Sequence, residues 1–156
     1  MLTATLPTSA AFDPTMLLLV HAASTWFLVG LTWFVGMVHY PLFARVGREG
    51  YSAYQASHVA RTTWVVVPPM TVELGTALLL LAEPPPGVPT FELWLGMAAV
   101  ALVWLSTFAL AVPAHGALAH GFAPKAHRRL LLGHGLRTVL WTARGLLVAR
   151  WLLVSV

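Results

Sequence analysis

The chain has 156 residues, 58% of them hydrophobic and 9% charged, with a mean hydropathy of +0.78. Soluble domains carry roughly 25% charged residues, so there is too little polar surface here to coat a soluble globule, and one integral membrane domain over 1–156 is expected. The formal charge of +4 sits in particular loops, which speaks to topology and not to nucleic acid; with no cysteine, disulfides and thiolate metal sites are excluded.

Residues 1–14 read as a short exposed lead. They lack the basic start of a signal peptide, and the apolar run that follows is too long for one. Asp13-Pro14 ends the lead and is suited to cap a first helix. Four apolar segments then follow, about 15–43, 59–82, 91–114 and 134–156, each near the roughly 20 residues needed to span a bilayer. The fold expected is an all-α, integral membrane four-helix bundle. Its breaks are the polar stretch 44–57, the proline-rich 83–90, and 115–133, which is basic and rich in His and Gly.

Charge orients these segments. Arg45, Arg48 and Arg61 lie in the first break or just beyond it, and Lys125, Arg128 and Arg129 in the third, whereas the middle one is flanked by Glu83 and Glu92 and has no Lys or Arg. The positive-inside rule makes the two basic loops cytoplasmic and puts both termini outside, as for a multi-pass protein of a bacterial inner membrane. Within the second segment Pro68-Pro69 predicts a bend. Gly30, Gly36, Gly75 and Gly96 are small residues that let helices approach closely in lipid.

Two pseudo-repeated hairpins are suggested by His58-Val-Ala-Arg61-Thr62, followed by Trp64, and His134-Gly-Leu-Arg137-Thr138, followed by Trp141. Glu73 and Arg150 each lie nine residues beyond their Trp, and Val38-His39-Tyr40-Pro41 is echoed by Val112-Pro113-Ala114-His115. Parallel repeats are a known membrane architecture; chance matching of so short a motif explains the pattern equally well.

Of seven histidines, the topology puts His21 alone toward the outside. His39, His58, His115 and His134 stand one at the inner end of each helix, a set able to ligate haem iron or a divalent metal, with His58 and His134 the foremost metal ligands. Arg61 and Arg137, one turn beyond His58 and His134, are placed to neutralise haem propionates or another anion. Interfacial packing of amphipathic imidazoles is the competing account, under which no cofactor is bound. His120 and His127 read as loop residues. Glu73, Arg144 and Arg150 lie inside apolar segments, where charges face the bundle and pair, so Glu73 is expected to pair with Arg144 or Arg150, as a proton or substrate site or as a structural clamp. The seven tryptophans read as belt and packing residues, or as a stripe lining a pigment or quinone pocket. No nucleotide-binding glycine motif and no nucleophile elbow occur, and five acidic residues are too few for paired-carboxylate chemistry.

Trp33-Phe34-Val35-Gly36 followed by Pro41-Leu42-Phe43 resembles the first-helix pattern of the small four-helix haem-pathway membrane proteins, the oxygen-independent protoporphyrinogen oxidases and their copper-import-like relatives. The resemblance covers about a sixth of the chain and implies haem ligation and oxidase activity; the position of that family's first-helix histidine is Trp26 here. Pro113 to Trp151 looks like uncharacterised bacterial four-helix membrane proteins. Two functions of different class follow. One is a non-catalytic accessory subunit or small-ligand binder, docked on a larger membrane complex or self-associated in the bilayer; the other is a haem- or metal-dependent membrane oxidoreductase using the inner histidines.

Overall fold

Asp13, just ahead of the first apolar run, accepts a hydrogen bond from the Thr15 amide through Oδ1 (3.0 Å), and Pro14 opens the helix. The computed structural model describes residues 13–155; of the exposed lead expected over 1–14, residues 1–12 lie outside them. Four long antiparallel helices follow in up-down order: α1 Pro14–Arg45, α2 Tyr51–Ala82, α3 Thr90–Leu118 and α4 Pro124–Ser155. All four are long and apolar enough to cross a membrane. Their outer surface, with Phe34, Trp64, Trp94, Leu105, Val139 and Leu153 exposed, is an apolar coat of a kind that soluble monomers do not carry.

Two helices begin well before the apolar segments that mark them in the sequence. Residues 51–58 belong to α2 and 124–133 to α4, leaving only short loops at 46–50 and 119–123. Hydropathy falls where a helix leaves hydrocarbon, but backbone hydrogen bonding need not stop there. Pro124 at the first position of α4 loses nothing by lacking an N–H, since the first-turn amides have no intrahelical acceptor. At the other end the proline-rich turn is closed by Gly87, whose φ of +74° is open to glycine and whose Cβ would meet the Val154 carbonyl oxygen at 2.6 Å.

Both hairpins carry the same backbone device. One turn of wide, i→i+5 helix runs over Val35–His39 in α1 and over Thr107–Ala111 in α3, and in each a proline, Pro41 or Pro113, comes two residues later. A proline cannot donate to the carbonyl four residues back and crowds it; a locally widened turn accommodates this. The carbonyl four before Pro113 is that of Ala109, and Arg129 Nη2 donates to it at 2.8 Å. The side chains of the matched motifs diverge, however: Trp64 is 81% exposed, Trp141 only 2%. α2 runs as one helix through Pro68-Pro69.

The core has three levels. Leu18, Leu80, Val148 and Trp151 fill the end bearing the termini. Leu28, Met70, Val103 and Trp141 fill the middle. Tyr40, Phe43, Tyr51 and Leu130 fill the end bearing the basic loops. α1 packs closely on α2 and α4, and α3 on α4; the α2–α3 seam is the sparsest. Of the glycines expected at close helix contacts, Gly36 and Gly96 are at such contacts, whereas Gly30 and Gly75 have nothing within 4 Å of where a Cβ would stand. Gly133, against Leu110, and Gly145, against Val29 and Trp26, also admit a neighbouring helix.

Candidate functional site

Two polar systems lie inside the bundle, one toward the termini and one toward the basic loops. In the first, Glu73 of α2 is 1% exposed and Arg144 of α4 is 2% exposed. Arg144 Nε donates to Glu73 Oε1 at 3.1 Å. The same oxygen accepts from Thr25 Oγ1 at 2.9 Å, and Oε2 accepts from Trp141 Nε1 at 2.9 Å. Arg144 Nη1 donates to the Gly96 carbonyl of α3, and Nη2 lies 3.1 Å from His21 Nε2. Thr76 Oγ1 donates to Val72 O at 2.7 Å, so at 2.7 Å from His21 Nδ1 it accepts, which puts the imidazole proton on Nδ1 and leaves Nε2 as acceptor for Arg144. All four helices are tied by one ion pair, and none of the hydrogen-bonding atoms in it is left open.

Arg150, the other cation considered for Glu73, is instead bound to Glu92: Nη1 donates to Oε2 at 2.9 Å, beside Trp151 Nε1 at 3.0 Å. The reason is depth. Arg150 stands nearly two turns closer to the C-terminus than Arg144, and its side chain is 49% exposed. His21, singled out in the sequence only for lying apart from the other histidines, is fully buried as the guanidinium's third partner, after Glu73 and the Gly96 carbonyl. Its spacing to Thr25, one helical turn, is the signal that could have revealed it.

The second system gathers the histidines expected at the helix ends. His39 Nε2 lies 2.8 Å from His58 Nδ1, and the His58 ring lies 5.4 Å from that of His115. His115 is held on both nitrogens, by Gln55 Nε2 at 2.9 Å and the Tyr40 hydroxyl at 3.2 Å. Tyr40 also meets the His134 ring edge-on at 4.8 Å. His134 Nε2 donates to the Thr32 carbonyl at 2.8 Å, which turns its Nδ1 toward Arg137 Nη2, 3.4 Å away. Gly36 makes room for this ring, since a Cβ there would meet His134 at 3.1 Å. Of the two arginines paired with histidines in the sequence, Arg137 is buried here and Arg61 is exposed. His127 is not a loop residue: it lies in α4, and its Nε2 donates to the Tyr40 carbonyl at 2.8 Å.

These side chains floor a cavity of about 790 Å³ lined by all four helices, within the usual size of small-molecule sites. Its ring, amide and guanidinium groups, those of His58, His115, His134, Tyr40, Gln55 and Arg137, are at the basic end; the hydroxyls of Thr32, Thr63 and Thr107 bond back to their own helices, and Leu28, Val66, Met70 and Trp104 make the walls. Its rim includes Val59 and Val67 of α2 and Phe108 and Val112 of α3, all of them exposed, so it opens sideways at the sparse α2–α3 seam. Among the described residues, three buried polar atoms in its lining have no partner: His58 Nε2, Arg137 Nη1 and Gln55 Oε1. Buried polar groups are satisfied in more than nine cases of ten, so three on one cavity set this lining apart from the rest of the bundle interior. Among the described residues no three His, Asp or Glu side chains converge on a point that could hold a metal ion. Toward a haem the lining offers one unpartnered imidazole nitrogen, that of His58, and one buried cation, Arg137. Comparison with protein-family models, curated proteins and solved structures finds no match for this chain.

Proposed function

We propose that this protein is a membrane-embedded binder of a small amphipathic ligand, working alone or as an accessory subunit of a larger membrane complex. The ligand is taken sideways from the bilayer, its apolar body lies along Leu28, Val66, Met70 and Trp104, and its head meets His58 and Arg137. The carrying observation is the conjunction of an apolar cavity open at the lipid-facing seam with unpartnered buried nitrogens at one end of it. The absence of any open atom around Glu73 supports a structural role for that ion pair. The test is solvent extraction and mass spectrometry of protein purified in detergent, beside a Val66→Trp variant that fills the cavity from the loosely packed α2 wall. A defined lipophilic species retained by the wild type and lost from the variant is expected. Identical bulk lipid in both would overturn the proposal.

A haem-dependent oxidoreductase, as the first-helix resemblance implies, is the second reading, and the free His58 Nε2 is the observation in its favour. A bound haem would supply redox chemistry; His58 would ligate it and Arg137 would hold its propionates. A Soret band that disappears in His58→Ala would establish this reading over the first.

We place the protein in a bacterial inner membrane with both termini outside the cytoplasm. The support is that Arg45, Arg48, Lys125, Arg128 and Arg129 share the end opposite Glu83 and Glu92. A periplasmic reporter fused after Val156 is expected to be active and one fused near Lys125 silent; the reverse pattern would invert the topology.

A further inference from the structure

We infer that the ligand's head is an anion, a carboxylate or a phosphate, bound as the counter-ion of Arg137. The inference rests on the binding-site reading above and adds the charge of what binds. Arg137 is 6% exposed, and a guanidinium is always charged. All five acidic side chains of the chain can be accounted for. Glu73 is taken by Arg144 and Glu92 by Arg150. Asp13 and Glu83 stand at the opposite end of the bundle, and Glu49 is exposed in the loop between α1 and α2. Among the described residues no carboxylate reaches Arg137. Its neighbours are neutral: His134 Nδ1 at 3.4 Å, a long contact to a lone pair, and the Tyr40 hydroxyl beside it, which is a dipole and no counter-charge.

A cation held inside a lipid-embedded bundle without a counter-charge is costly, and such groups pair. The open Nη1 is where the missing charge belongs, because an oxyanion there gains a charge-assisted hydrogen bond. His58 Nε2 becomes a second donor when His39 supplies the proton between them, as their 2.8 Å separation permits. Gln55 is the one open acceptor. Turning its amide, with His115 then offering Nδ1–H to it, exchanges that acceptor for a third donor. The site therefore offers up to three donors and a positive charge under an apolar cavity. A neutral head such as an alcohol or a quinone carbonyl leaves the charge uncompensated.

Native mass spectrometry from a non-ionic detergent tests this with oleate, dioleoyl phosphatidic acid and oleyl alcohol as probes, on wild type, Arg137→Gln, Arg137→Lys and Arg61→Gln. One molecule of oleate or of phosphatidic acid is expected to bind the wild type about 10- to 100-fold more tightly than the alcohol. The arm that binds more tightly says whether the source is a free acid or a phospholipid. Arg137→Gln should erase the preference, Arg137→Lys should keep part of it, and the exposed Arg61→Gln should leave it intact. Arg137→Gln should also melt no lower than wild type in delipidated protein, since it removes an uncompensated charge. Equal binding of alcohol and anions overturns the inference while the cavity stands as a binding site. Binding of none of the three overturns both.

Discussion

Glu73→Gln is expected to destabilise the protein by about 3–5 kcal/mol, the scale for breaking a buried ion pair by removing one partner. The substitution keeps the shape of the side chain. It leaves Arg144, 2% exposed, with a full charge and only neutral groups to face it: the Gly96 carbonyl, His21 and at most the remaining amide oxygen. One carboxylate oxygen becomes an NH₂, so either Trp141 Nε1 or the Thr25 and Arg144 donors must confront another donor. Ordinary hydrogen bonds between membrane helices contribute only about 0.6 kcal/mol on average, because the membrane-embedded unfolded chain finds partners too. An uncompensated guanidinium is a different case, since few partners in hydrocarbon replace a carboxylate. Melting of detergent-solubilised protein, followed by tryptophan fluorescence, checks the value. Arg144→Met in the Glu73→Gln background should recover a large part of the loss, because the pair is then gone and no charge is stranded. Glu92→Gln is the control. Its partner Arg150 is half exposed, and such pairs are worth about 0–1 kcal/mol. If Glu73→Gln melts with the wild type, the clamp is not what holds the four helices together.

Gly96→Ala is expected to cost about 1–3 kcal/mol, the range for overpacking a close contact, although alanine is the better helix former. A Cβ at this position would stand 2.9 Å from the Trp151 ring and 3.3 Å from Arg144 Nη1. Trp151 is 2% exposed and bonded to Glu92, so it has little room to retreat, and moving Arg144 disturbs its bond to Glu73. Gly30→Ala is the counterpart, because nothing lies within 4 Å of its Cβ position. No loss is expected there, and a gain of about 0.5–1 kcal/mol from the better helix former. The Gly96→Ala penalty should shrink in an Arg144→Met background by the coupling usual for residues in contact, about 0.5–3 kcal/mol. Equal melting of Gly96→Ala and Gly30→Ala would show that α3 and α4 are not seated on this glycine.

The amino-acid sequence by itself determined the class of the protein. Four apolar runs of spanning length, the breaks between them and the exclusion of disulfide and nucleotide chemistry are properties of composition and local pattern, and a bilayer admits few answers to such a pattern. It also marked Glu73, Arg144, Arg137 and the histidines, because a titratable group in an apolar run is conspicuous. Which of these meet was decided only by the tertiary structure. Glu73 reaches Arg144 and not Arg150 because depth and helix rotation choose between two arginines that look alike along the chain. Arg61 and Arg137 occupy equivalent places in a repeated motif, yet one faces outward and the other lies under a cavity. Helix ends at Tyr51 and Pro124 and the partnership of His21 were equally hidden, since hydropathy measures transfer into hydrocarbon and says nothing about where hydrogen bonding stops or which neighbour a buried ring will find.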